Sequence, residues 1–354
     1  MKKFLSLLLL CSLLLTLLGC GAPAESTPPP TGTLNVHYID VGQADCALLE
    51  CDGQYILIDG GNVADSQLVV SYLQKQGVQE LQAVICTHAH EDHVGGLPGV
   101  LAVYPTYQVY APTKTYSSKC FDDFVHYTDQ QGLQITIPQP GDSFRFGGAT
   151  VTILGPVKSY ADPNNTSIVC RVDYGTTRFL FTGDMETQAE SDMLDYWGEG
   201  YNWRADVLKI GHHGSETSTG YRFLNEVMPT YGVISVGEGN TYGHPHEAPL
   251  SRLDQADVTL YRTDKLGTII ATSNGTDISF TWQVGNAAPI VPSNSVPTQP
   301  GATTPATSYI GNKNSKKLHL PGCSSLPAES NRVYFDDYDA AIAEGYVPCS
   351  KCLN

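Results

Sequence analysis

Residues 87–93 read Thr-His-Ala-His-Glu-Asp-His, and Val94-Gly95-Gly96 follow. Five metal ligands or proton carriers therefore crowd into His88–His93, directly after the apolar run Leu81–Cys86. That run has the length and composition of a buried strand. The fold must hold this loop at a rigid strand end, where metallohydrolase sites are built. Alternate residues His88 and His90 can point at one ion, while Asp92 and His93 turn toward a second. Imidazole and carboxylate suit Zn²⁺, Mn²⁺ or Fe²⁺ with positions left for water. Two ions roughly 3.5–4 Å apart can share a hydroxide and clamp a phosphoryl or acyl oxygen. The competing reading is a polar loop with unrelated histidines.

Three later segments argue against that bland reading. Asp59 ends Ile56-Leu57-Ile58-Asp59-Gly60-Gly61. Asp184 ends Phe179-Leu180-Phe181-Thr182-Gly183-Asp184. His212 and His213 follow Val207-Leu208-Lys209-Ile210-Gly211. In this order the set resembles the metallo-β-lactamase superfamily. The resemblance implies an α/β fold, the αββα sandwich, with His88, His90, Asp92, His93, Asp184 and His212 as metal ligands. Asp184 would bridge both ions, and Asp59 would brace the metal loop from behind. His212 is assigned to the second ion, with His213 the alternative. Where the superfamily places a further histidine ligand, this chain has Asn165, within Asn164-Asn165-Thr166-Ser167-Ile168-Val169. An amide oxygen is a weaker ligand and suits harder cations, so a loosely held first ion or a preference for Mn²⁺ over Zn²⁺ is expected.

The segments Asn164–Val169, Leu180–Asp184, Leu208–Ser215 and Ser235–His246, with the opening Val36–Asp45, narrow the resemblance. Together they resemble the extracytoplasmic hydrolase domain of the ComEC competence family, over roughly residues 33–283. The resemblance implies a phosphodiesterase or nuclease acting on DNA or a nucleotide. A hydroxide shared by the ions and Asp184 would attack phosphorus, and Asp92 would take its proton. His244 would assist the leaving oxygen or bind a phosphate oxygen. His246, across Pro245, is a further ligand or support, and loop histidines bonded to backbone are the plain alternative. Lys209 reads as a strand-end charge. Asp40 and Asp45 support the site or cap a turn. No long apolar segment follows the N-terminus, so that family's membrane channel is not expected and the chain reads as a stand-alone relative.

Lys2-Lys3, the apolar run Phe4–Leu18 and then Gly19-Cys20 form a signal peptide with a lipobox. Residues 1–19 would be removed and Cys20 lipidated, which places the protein on the outer face of a bacterial cytoplasmic membrane. The lipid would be its one membrane contact, and residues 20–32 a tether. A cleaved signal with an incidental cysteine is the alternative. Losing two lysines and no acid takes the formal charge from −16 to −18. Residues 306–354 carry five basic and five acidic groups, so the acid excess lies in the hydrolase region. This disfavours tight nonspecific binding to a polyanion, although bound ions would offset the field locally.

Strands are expected at 34–39, 46–50, 55–58, 81–86, 107–111, 150–154, 167–173, 178–181, 205–210, 231–236, 258–261, 267–271 and 277–282. Helices are expected at 63–76, 117–130, 186–197, 220–227 and 248–256. This alternation predicts two mixed sheets with helices outside. Cys46, Cys51, Cys86, Cys120 and Cys170 lie in apolar contexts and read as small buried hydrophobes.

Residues 284–308 are rich in Pro, Thr, Ser and Ala and read as a linker. In the module 309–354, His319 and Cys323 precede Cys349 and Cys352, which spells a tetrahedral zinc site. So small a module needs such a staple. A disulfide is the competing reading and would strand one cysteine. A capped helix is expected over Phe335–Tyr346, ending at Gly345. The module resembles the Ada metal-binding domain, whose first cysteine is the methyl acceptor. His319 stands there, so one structural zinc and no alkyl transfer are expected.

The sequence thus predicts two divalent ions, Zn or Mn, in a hydrolase domain acting on a phosphodiester. Hydrolysis of phosphocholine on wall or teichoic acid, or a non-catalytic metal-dependent scaffold, are the alternatives. No protein partner is evident.

Overall fold

The computed structural model describes residues 32–293 and 309–353, apart from 322, 324, 336, 337 and 350. The signal segment, Cys20, most of the tether and residues 294–308 lie outside the described residues. Among those described, no helix is long and apolar enough to cross a membrane.

The first sheet begins with β1 (Leu34–Tyr38), β2 (Ala47–Cys51), β3 (Gln54–Ile58), β4 (Ala83–Ile85), β5 (Val109–Tyr110) and β6 (Ile135–Thr136). The second comprises β7 (Ser143–Phe146), β8 (Ala149–Gly155), β9 (Val169–Tyr174), β10 (Thr177–Phe181), β11 (Val207–Lys209), β12 (Tyr231–Ile234) and β13 (Thr259–Arg262). The chain then returns to the first sheet through β14 (Ile269–Ser273) and β15 (Ile278–Trp282). The orders are β15-β14-β1-β2-β3-β4-β5-β6 and β13-β12-β11-β10-β9-β8-β7.

Side-chain alternation along these strands builds the layers. Leu49, Ile56, Ile58, Val151, Val172, Phe179 and Phe181 meet between the sheets. Their neighbours Leu48 and Leu57 face out, onto the helices Ser66–Lys75, Leu97–Val103 and Lys119–Gln130. Leu180 and Leu208 face the other way, onto Thr187–Trp197, Tyr221–Val227 and Glu247–Gln255. Three apolar interfaces make four layers, the expected αββα sandwich. The five cysteines of this domain are buried and unpaired, as read.

Some elements differ from expectation. Helices Glu91–Val94 and Leu97–Val103 were not anticipated; Pro98 sits in the first turn of the second, where its missing N–H costs nothing. Strands β6 and β7 were also missed. The expected linker does not start at 284. Ile290 bridges Leu260, Trp282 Nε1 donates to the Ala287 carbonyl and Ser293 bonds Asp254, so residues 284–293 pack on the hydrolase domain.

The C-terminal module carries a four-stranded sheet, β16 (Tyr309–Asn312), β17 (Lys317–His319), β18 (Arg332–Phe335) and β19 (Val347–Pro348), ordered β18-β16-β17-β19. The expected helix over 335–346 is shorter, Tyr338–Ala343, because Phe335 pairs with Tyr309 as the last residue of β18. Gly345, at φ 82°, ends the turn after it, a conformation glycine adopts without strain.

Candidate active site and zinc site

β1, β3 and β4 run in one direction, and β10, β11 and β12 run parallel to one another. The loops after these strands supply the polar cluster. Asp59 follows β3 and is fully buried. Its Oδ1 accepts from the Thr87 N–H at 2.7 Å. Its Oδ2 accepts from Thr87 Oγ1 at 2.7 Å and lies 2.8 Å from His93 Nδ1. Asp59 therefore ties down the Thr87–His93 loop and turns His93 Nε2 toward Asp184.

His88 Nε2 and His90 Nδ1 lie 3.1 Å apart. On the other side, Asp92, His93, Asp184 and His213 each place a ligand atom within 4.8 Å of the others. His93 Nε2 is 3.2 Å from Asp184 Oδ1. His213 Nε2 is 3.2 Å from Asp92 Oδ2 and 3.5 Å from Asp184 Oδ2. His213, not His212, joins this four-donor group. His212 is partly exposed, with Nε2 3.7 Å from Asp184 Oδ2 and Nδ1 near Thr217 Oγ1 and Glu186 Oε1. Both histidines have positive φ, 49° and 51°. Such strain in non-glycine residues persists where surrounding structure imposes it. Gly183, at φ 51°, lies where a Cβ would meet Ser167 Oγ and the Thr87 side chain at 2.9 Å, so only glycine lets these loops close.

The donor set fits divalent cations. His93 Nε2 and Asp184 Oδ1 are buried without a hydrogen-bond partner, although they face each other. Burial pulls the His93 imidazole down, yet Asp184, Asp59 and Asp92 outweigh it and hold it well above its usual range. Burial likewise opposes protonation of His213, but Asp184 and Asp45 push it up to about 10. Burial pushes the Asp184 carboxyl up, but His93 and His213 prevail and hold it well below the carboxylate range. A field this negative calls for positive charge, which bound dications supply.

Asn165, which the resemblance sets in place of a further histidine ligand, is buried. Its Oδ1 accepts from the Glu186 N–H at 3.1 Å and its Nδ2 donates to Glu186 Oε2 at 3.4 Å. The amide thus braces the loop after Asp184. Ser167 Oγ, two residues on, accepts from the Asp184 N–H.

His244 lies at the mouth, its ring 5.5 Å from that of His212 and 6.3 Å from that of His213. Gln43 Oε1 accepts from the Gly237 N–H, so its amide nitrogen faces His244 Nδ1 at 3.4 Å. The remaining imidazole hydrogen is then on Nε2. Burial and the neighbouring His213, His212 and His246 lower His244 to about 4, so it acts as a neutral donor. His246 is not at the ion cluster: its Nδ1 accepts from the Glu216 N–H and its Nε2 bonds the Tyr242 carbonyl.

Lys209 carries a role the sequence reading missed, and Asp45 takes the site-supporting one of its two alternatives. Lys209 does end β11, but its charge is buried, 2.7 Å from Asp45 Oδ2. Asp45 Oδ1 is 3.3 Å from His213 Nδ1, which also faces the Ser235 carbonyl at 3.0 Å. The pair therefore points His213 Nε2 into the cluster. A lysine inside Val207-Leu208-Lys209-Ile210 was the available signal. Asp40 caps a turn instead, accepting from the Gly42 N–H.

In the C-terminal module, His319, Cys323, Cys349 and Cys352 gather within 4.8 Å, all buried. His319 Nδ1 is 3.3 Å from Cys323 Sγ, and Cys323 Sγ is 4.0 Å from Cys349 Sγ. That separation is far longer than an S–S bond of about 2.05 Å, and Cys323, Cys349 and Cys352 are all unpaired. It matches the edge of a zinc thiolate tetrahedron with Zn–S of about 2.3 Å.

Comparisons with known proteins match both domains to known families. The family model described as "Metallo-beta-lactamase superfamily" matches residues 39–238, and "Metal binding domain of Ada" matches residues 303–354. "ComE operon protein 3" of Bacillus subtilis (strain 168) is 30% identical over 253 residues, covering 66% of this chain and 32% of that protein. "Competence protein ComA" of Neisseria gonorrhoeae is 31% identical over 247 residues, covering 69% of this chain and 33% of that protein. The chain thus spans about a third of the length of these curated relatives. Among solved structures, the metallo-beta-lactamase fold protein YhfI from Bacillus subtilis aligns with a TM-score of 0.47 at 15% identity, over 68% of this chain and all of that one.

Proposed function

The chain belongs to the metallo-beta-lactamase superfamily, joined to an Ada-like zinc-binding module, and we propose that this hydrolase is a binuclear phosphodiesterase acting on DNA or nucleotides. The observation that carries the reading is the facing pair His93 Nε2 and Asp184 Oδ1, buried, unpartnered and gathered with Asp92 and His213, with the His88 ring 4.1 Å from that of His93. The kinship with competence proteins supports nucleic acid as substrate class.

His88 and His90 would hold one ion, and Asp92, His93 and His213 the other, with Asp184 between them. Two divalent ions, Zn or Mn, held by these residues would supply Lewis acidity toward a phosphoryl oxygen and toward water. The chain's own groups do the rest. Asp59 and Asp45 fix the rotation of His93 and His213, so the donors need no reorganisation on binding. The Asp92 carboxyl stays well below its usual range, since His93 and the His213 hydrogen bond outweigh its burial, which suits a ligand better than a proton store. His244 Nε2–H is free to donate to a phosphoryl or leaving oxygen at the mouth. One zinc in the His319–Cys352 cluster would be structural. The sequence of residues 1–20 supports export and a lipid anchor at Cys20.

Turnover of bis-p-nitrophenyl phosphate with added Mn²⁺ or Zn²⁺ tests the reading. Wild-type protein should show metal-dependent hydrolysis that Asp184→Ala abolishes while remaining folded. Metal binding without hydrolysis would favour the scaffold. Phosphocholine diesters are the second substrate class, favoured by the formal charge of −16, because choline is cationic.

A further inference from the structure

Tyr242 is the exposed end of a row of rings that runs into the candidate metal centre. It is 68% exposed, among the most open of the large side chains. Its ring lies 5.7 Å from that of His244 at 24°, and His244 lies 6.3 Å from His213, again at 24°.

The loop is built to hold the ring there. Asn240 Nδ2 donates to the carbonyls of Gly237 and His244, and its Oδ1 accepts from the N–H groups of Tyr242 and His244. His246 Nδ1 accepts from the Glu216 N–H, which leaves its Nε2–H to donate to the Tyr242 carbonyl. The backbone on both sides of Tyr242 is therefore pinned, while one face of its ring stays in water. Holding a large ring in solvent gains nothing from burial, so the fixed open face points to a ligand.

We propose that Tyr242 is a stacking platform for a nucleobase next to the scissile phosphate, making it a specificity residue of the site. The inference rests on the phosphodiesterase reading above. A planar base fits better than a choline headgroup. Among the described residues the ring contact of Tyr242 is with His244 alone. A single flat surface continuing a parallel stack suits another flat ring, whereas quaternary ammonium ions are held in cages of several aromatics.

The test compares metal-loaded, full-length wild type, Tyr242→Ala and Tyr242→Phe on two single strands. One is an oligodeoxythymidylate, and the other an abasic strand of the same length and charge. Loss of a base–aromatic stack costs roughly five- to a hundredfold. Tyr242→Ala should raise KM for the base-bearing strand by that factor with little change in kcat. Tyr242→Phe should behave as wild type, and the abasic strand should be cleaved alike by all three. An equal loss on both strands, or no loss on either, overturns the platform while the nuclease reading stands. A wild type that hydrolyses bis-p-nitrophenyl phosphate but neither strand overturns both.

Discussion

Lys209 Nζ sits 2.7 Å from Asp45 Oδ2, and both side chains are almost wholly removed from solvent. Burial pushes the Asp45 carboxyl up, but Lys209 and His213 overcome this and bring it down to about 2. A buried charge is tolerable only with its partner. Lys209→Met should therefore destabilise the domain by about 3–5 kcal/mol. Pairing it with Asp45→Asn should restore much of that loss, since no charge is then stranded. The double variant should still bind metal about 10–100-fold more weakly, because Asp45 no longer orients His213. Chemical denaturation and metal titration on the same samples check this. Full recovery of metal affinity would reduce the pair to a structural role.

The two halves of the centre should fill in order. Asp92, His93, Asp184 and His213 offer four gathered donors, whereas the His88–His90 pair stands outside that group and Asn165 is engaged with Glu186. Calorimetric titration of the hydrolase centre should show one tight and one weaker ion, and Asn165→His should tighten the weaker. Two equal, tight zinc sites in the wild type would contradict this.

Metal affinity should rise with pH. The carboxylates of Asp92 and Asp184 are ionised throughout, while His93 and His213 are held above their usual range, His213 at about 10. Ligation needs neutral imidazole, so each bound proton must leave. Below pH 10 the apparent affinity should rise about tenfold per pH unit for each displaced proton. Calorimetry in buffers of different ionisation heats measures the release directly. A flat affinity between pH 6 and 8 would contradict the reading.

The module's zinc should be separable from the hydrolase ions. Cys352→Ser should lower zinc content by one equivalent and abolish the β16–β19 fold, because the apolar group around Leu318, Phe335, Ala341 and Tyr346 is small. Zinc content by atomic emission and proteolysis of residues 309–354 would show it. Unchanged zinc content would remove His319, Cys323, Cys349 and Cys352 as the site.

The metal loop and the bracing Asp59 were legible because they sit at the ends of apolar runs. The strands they terminate were legible for the same reason. The choice between His212 and His213 was not, since both follow β11 and only tertiary contact with Asp92 and Asp45 separates them. Lys209 misled because a lone lysine at a strand end is usually solvated, and its partner comes from the β1–β2 loop. Helices Glu91–Val94 and Leu97–Val103 were hidden by Gly95, Gly96 and Pro98, which read as turn signals. In residues 284–293, Ile290 pairs with Leu260 despite a composition that reads as linker, since one bridge and two side-chain contacts need no periodicity.

The most direct measurement is cleavage of single-stranded DNA set against a phosphocholine diester, using metal-loaded full-length protein and Asp184→Ala. The account predicts metal-dependent strand cleavage, lost in the variant, with the choline ester hydrolysed far more slowly. Preference for the choline ester, or cleavage that survives Asp184→Ala, would contradict it.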